Sequence, residues 1–178
     1  MSDPARRGGT RWWATKVRQF EAHVRARVEP AERHALAAWA PPWVLALFDA
    51  MHPADRRHGL DVVRSLREDG VDPHTDADRE LLVAGLLHDA GKGRTGVWPR
   101  VAFSLGEAYG PGVRRLVRSL PLRSWRASLD RLDRHAETSA AMVAAAGGSA
   151  RIVELIRHQD APVDPVDGER LRLADEAN

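Results

Sequence analysis

The stretch Thr75-Asp76-Ala77-Asp78-Arg79-Glu80-Leu81-Leu82-Val83-Ala84-Gly85-Leu86-Leu87-His88-Asp89-Ala90-Gly91-Lys92 decides how this chain is read. Thr75 with Asp78 three residues later has the pattern of a capping box, and the helix it opens is expected to run to Gly91, a residue suited to a helix end. A nearly unbroken apolar segment, Leu81 to Leu87, then meets an imidazole beside a carboxylate. Polar groups buried without partners are costly. A nitrogen and an oxygen ligand side by side suit zinc, manganese or iron. Taken alone, His88-Asp89 is accounted for equally well as a helix that ends in polar residues.

Working outward, the pattern is helical almost throughout. Upstream, Trp13, Val17, Phe20, Val24 and Val28 recur at spacings of three and four and describe a first helix that stops before Pro30. Ala31 to Ala40, Trp43 to Met51 and Ala54 to Glu68 follow as helices separated by prolines, the last with Leu60, Val63 and Leu66 facing inward. Downstream of the glycine-rich Gly91 to Gly96, helices are expected at Pro99 to Tyr109, Pro111 to Leu120, and as one long element from Trp125 to Ala146. Ser149 caps a helix from Ala150 to Gln159, and Glu169 to Asn178 closes the chain. Alternating β-branched runs are absent, so the fold class is all-α, a helical bundle.

The 178 residues fit one domain with room for a substantial core. With 29% charged and 43% hydrophobic residues the composition is that of a globular protein. The absence of cysteine excludes disulfides and thiolate ligands, so any metal must be held by His, Asp or Glu. No apolar run reaches the length of a membrane span or a signal-peptide core, and a cytoplasmic location is expected. Lys16 and Lys92 are the only lysines among 27 cationic residues, which singles out Lys92 beside the dipeptide. Nine arginines lie between Arg94 and Arg134; they are suited to phosphate groups, or equally to a solvated face. No nucleic-acid-binding motif accompanies them.

Other polar residues fall on inward positions of further helices. His58 precedes Val62 and Leu66 at helical spacing, His135 follows Leu132 by three, His158 follows Leu155 by three, and Asp175 follows Leu171 by four. Each alone is an ordinary core or surface residue. Together, on five helices, they form a set that a bundle core can assemble into a metal site. His23, His34, His52 and His74 fall at surface or turn positions outside this pattern.

The order His, His-Asp, distant Asp resembles the HD superfamily of metal-dependent phosphohydrolases. Arg57-His58-Gly59-Leu60-Asp61-Val62-Val63, Gly85-Leu86-Leu87-His88-Asp89-Ala90-Gly91-Lys92 and Leu173-Ala174-Asp175 are similar to its three signature segments. The likeness spans residues 54–178, with residues 1–50 as an N-terminal helical extension and about 94–130 as a helical insertion. The pair His135 and His158 resembles the two-metal branch, although the paired His-His-Glu and Gly-Tyr-Pro signature of HD-GYP proteins is missing. Small stand-alone bacterial HD proteins of unassigned substrate are the nearest likeness.

The resemblance implies one or two divalent ions, Fe, Mn or Zn. One would be held by His58, His88, Asp89 and Asp175; the second would share Asp89 as a bridge and add His135 and His158. It implies a hydrolase for a small phosphorylated substrate, such as a nucleotide, with Asp89 and Lys92 in catalytic roles. Lys92 would neutralise phosphoryl charge or donate a proton to the leaving oxygen. Trp98 and Trp125 are candidates to line a nucleobase pocket. A non-catalytic HD module, metal-bound and regulatory or scaffolding, is the alternative.

Overall fold

In the computed structural model, which describes residues 27–93, 112, 115 and 123–178, the chain is all-helical, with no strand among the described residues. Eight α-helices are described: α1 Pro30–Ala37, α2 Pro42–Ala50, α3 Pro53–Glu68, α4 Asp76–Leu87, α5 Arg123–Asp133, α6 His135–Ala145, α7 Ala150–Arg157 and α8 Asp167–Ala177. A 3₁₀ turn, Ala90–Lys92, follows α4. The helices expected at Trp13 to Val28, Pro99 to Tyr109 and Pro111 to Leu120 lie essentially outside the described residues, as do His23, most of the arginine-rich insertion, and the side chains of Trp98 and Trp125. No described helix is long and apolar enough to cross a membrane.

α4 is the central element. Every residue from Leu81 to Leu87 is buried, so its apolar run has no solvent face, and α2, α3, α7 and α8 all pack on it. Proline opens α1, α2 and α3 at the first helical position, where a missing N–H costs nothing. Thr75 Oγ1 caps α4 by accepting from Asp78 N at 3.3 Å. The reciprocal half of the expected capping box is diverted, because Asp78 Oδ2 accepts from Asp72 N at 3.0 Å instead. Ser149 Oγ caps α7 through Ile152 N at 3.3 Å.

Residues 27–50 do not stand apart as an extension. Leu36, Ala40, Val44 and Phe48 share one core with Leu66, Leu82, Leu86, Ile156 and Leu171. Arg57 on α3 joins this segment to the rest, donating to both Glu32 carboxylate oxygens at 2.7 and 2.8 Å and to Asp61 at 2.9 Å.

Two boundaries differ from the sequence expectation. α4 ends at Leu87, and His88-Asp89 forms a turn leading into the 3₁₀ segment, so the dipeptide sits at the helix end rather than inside it. The long helix from Trp125 to Ala146 is two helices broken at Arg134 (φ −111°, ψ 13°). His135 Nδ1 donates to the Leu132 carbonyl at 2.6 Å, taking an acceptor that a continuous helix would offer to the backbone four residues on.

Close approach of α3 to α4 depends on Gly59. A Cβ there would stand 2.5 Å from the Leu86 carbonyl oxygen, so only glycine lets the helix carrying His58 lie against the one leading to His88. Gly91 does the same for α6: a Cβ would lie 2.5 Å from His135 O and 2.6 Å from Ser139 N. Its N–H donates to the buried Ser139 Oγ at 2.8 Å.

Candidate metal centre

His58, His88 and Asp175 converge, with one ligand atom from each lying within 4.8 Å of the other two, an arrangement that could hold a metal ion. His58 comes from α3, His88 from the end of α4 and Asp175 from α8. Asp175 Oδ1 lies 2.7 Å from His58 Nε2 and 3.2 Å from His88 Nε2. The rings of His58 and His88 meet edge-on, with centroids 5.1 Å apart. Asp89 adjoins the group, with Oδ2 3.9 Å from His58 Nε2 and Oδ1 3.5 Å from His88 Nε2.

α8 is positioned by ties remote from the cluster. Arg151 of α7 reaches Asp167 and Glu80, and donates to the Ala77 carbonyl at 2.7 Å. Arg170 donates to the Asp69 carbonyl at 3.1 Å, and Asn178 Nδ2 to Ser65 Oγ at 2.9 Å. These contacts fix the register of α8 on α3 and α4, and with it the reach of Asp175.

Two imidazoles are oriented by the same device. His88 Nδ1 donates to the carbonyl of Gly85 at 2.9 Å, and His135 Nδ1 to that of Leu132, in each case three residues earlier. Each ring therefore presents Nε2 to the interior, as outer hydrogen bonds typically orient ligating histidines. His88 Nε2 and Asp89 Oδ1 are buried and have no hydrogen-bonding partner. Orphaned polar atoms inside a core are rare and need a reason, and a divalent cation between them supplies one. The separations of Asp175 Oδ1 from the two rings, 2.7 and 3.2 Å, lie somewhat inside the ~3.4 Å edge of a tetrahedron with metal–ligand bonds of ~2.1 Å. Two imidazoles and one carboxylate, with Asp89 beside them, could hold a metal ion.

Electrostatics agree. Burial alone would lower the His88 pKa, but the Asp89 and Asp175 carboxylates raise it to about 9. Burial would raise Asp89, and His88 and Lys92 hold it well below the usual carboxylate range instead. Asp175 is likewise held low against its burial by His58 and His88. The site thus concentrates negative charge that is balanced by protons on imidazole in the absence of another cation. Lys92 Nζ donates to Asp89 Oδ2 at 2.5 Å; burial opposes its charge, and Asp89 keeps its pKa raised.

Part of the cluster is buried and part is partly exposed. His88 and Asp89 are 1% and 2% exposed, whereas the side chains of His58, Asp175 and Lys92 are 26%, 36% and 24% exposed.

Of the two remaining expected residues, one is near and the other is not. His135 Nε2 lies 3.6 Å from Asp89 Oδ1. His158 turns outward, half-exposed, with Nε2 3.3 Å from Glu154 Oε2. The residue that meets His135 is Gln159, 4% exposed, whose amide lies 2.7 Å from His135 Nε2. Part of this signal lay in the helical phase: Ile152, Val153, Leu155 and Ile156 are the buried residues of α7, and position 159 follows three of them at helical spacing. Asp55, buried on the first turn of α3 and contributing to the charge field at Lys92, is a further residue that periodicity did not single out. His34 and His74 are exposed, and His52 caps α3 through Nδ1, which accepts from Ala54 N at 3.3 Å.

Comparison with protein-family models, with curated proteins and with solved structures finds no match to this chain.

Proposed function

We propose that this protein is a metal-dependent phosphohydrolase that cleaves a phosphoester or phosphoanhydride of a nucleotide or similar small molecule. The observation that carries the reading is the convergence of His58, His88 and Asp175, with two buried atoms beside them, His88 Nε2 and Asp89 Oδ1, that make no hydrogen bond. The likeness of the three segments around these residues to HD phosphohydrolases supplies the reaction class.

His58, His88, Asp89 and Asp175 would hold the ion, of the Fe, Mn or Zn class. Such an ion, when bound, polarises a phosphoryl oxygen and makes a coordinated water more acidic. The chain's own residues do the rest. Gly85 O and Leu132 O fix the tautomers of His88 and His135, so neither ring needs to reorient on binding substrate. Lys92 holds Asp89 in place and sets a fixed positive charge at the rim, where phosphoryl oxygens gather. His135 Nε2 lies beside Asp89 Oδ1 and faces the Gln159 amide.

The test is to purify the full chain, load it separately with Mn²⁺, Fe²⁺ and Zn²⁺, and screen nucleotides and simple phosphoesters for release of phosphate. Turnover that is abolished by chelation and by His88→Ala is expected. Stoichiometric metal binding with no turnover of any phosphoester would refute the hydrolase reading while leaving the metal site intact.

A further inference from the structure

We infer that the centre takes a single divalent cation, and that Gln159 sets this number by holding His135 out of coordination. The inference rests on the reading of His58, His88, Asp89 and Asp175 as the ligands of that cation. A second ion would need His135, a share of Asp89 and at least one further donor, and three independent features of the chain oppose it.

Gln159 occupies the coordinating side of His135. His135 Nδ1 is committed to the Leu132 carbonyl, which leaves Nε2 as the ring's one open position, and the Gln159 amide stands 2.7 Å from it. The amide is itself wedged in place. Turned so that Oε1 accepts from His135 Nε2, its nitrogen donates to His88 O at 3.3 Å and Ile156 O at 3.2 Å; turned the other way, its nitrogen faces the ring. In both orientations a hydrogen-bonding atom lies where a cation ~2.1 Å from Nε2 would have to stand.

Asp89 is not free to bridge. Its Oδ2 accepts from the Lys92 ammonium at 2.5 Å, and Oδ1 alone is without a partner. A bridging carboxylate presents one oxygen to each ion, and here one oxygen is held by a fixed cation. That same ammonium repels a second divalent ion at short range. Lastly, the expected third donor is not in place among the described residues, since His158 faces Glu154 on the outer side of α7.

His135 is then a hydrogen-bonding residue at the edge of a one-ion site, and Gln159 is its positioning residue. The closing experiment counts metal. The full chain is dialysed to equilibrium against Mn²⁺ in excess and the bound ion is measured by elemental analysis, alongside His135→Ala and Gln159→Glu. Circular dichroism checks that each variant is folded. One ion per chain is expected in the wild type and unchanged in His135→Ala. Gln159→Glu, close in volume and supplying a carboxylate donor at the place His158 leaves empty, is expected to raise the count towards two. Two ions in the wild type, falling to one in His135→Ala, would overturn the inference and leave the proposed function standing. One ion in both the wild type and a folded Gln159→Glu would overturn the part assigned to Gln159. No bound ion in the wild type would overturn the ligand assignment on which both readings rest.

Discussion

Gly59→Ala reports directly on how the fold builds the centre. The added Cβ would sit 2.5 Å from the Leu86 carbonyl oxygen, against an ordinary contact of 3.4 Å or more, so α3 and α4 must part by about 0.9 Å. The obstruction is helix backbone, not a flexible side chain, and cannot swing aside. Overpacking of this kind costs about 1 to 3 kcal/mol, which for a chain of this length lowers Tm by roughly 2 to 12 °C. The separation falls between the residue after His58 and the residue two before His88, so it is transmitted to the distance between the two rings. Donors spaced for one ion then no longer close on it. Differential scanning fluorimetry with and without Mn²⁺ measures both effects. The variant should melt lower without metal and gain less on metal addition than the wild type. A variant with the wild-type Tm, or one that melts lower yet keeps the full metal-induced shift, would refute the argument that this contact sets the site.

Asp175→Asn should preserve the fold, because the side chain is part exposed, yet weaken Mn²⁺ binding by at least ~10-fold through loss of the anionic donor shared by both rings; calorimetric titration reads this directly. Ser139→Ala removes the acceptor of the Gly91 N–H and leaves a buried donor unsatisfied, at about 1 to 3 kcal/mol, seen as a reduced denaturant midpoint with an unchanged slope. In chelator-treated protein, His88 binds its proton more tightly when folded, with its pKa raised from 6.5 to about 9. The stability it contributes is therefore complete below about pH 6.5 and lost as pH rises through about 9. Thermal melts of the metal-free protein should fall across that window. A bound cation takes the place of the proton, so the metal-loaded protein should show a smaller fall and should release protons on loading near neutral pH.

Much of the fold and half of the site were legible from local pattern. The apolar run Leu81 to Leu87 announced a helix buried on all sides, and it is the element on which four others pack. His58 and Asp175 were placed on the inner side of their helices by spacing and His88 by its place at the end of the apolar run, and the structure brings the three together. His158 was placed inward by its distance from Leu155 alone, whereas the full stripe of α7 favours Gln159. The break at Arg134 was not legible, since the competition of the His135 ring for the Leu132 carbonyl is a choice between side chain and backbone that composition does not reveal.

By itself the sequence determined most of the described helices, apart from the break at Arg134, and the supply of nitrogen and oxygen donors without thiolates. These depend on interactions within a few residues, where the 3.6-residue repeat and the chemistry of each side chain suffice. Tertiary structure alone decided which donors meet and that Gln159 stands before His135. Those outcomes turn on helix separations of an ångström or less, set by close approaches such as Gly59 to Leu86 between residues far apart in the chain.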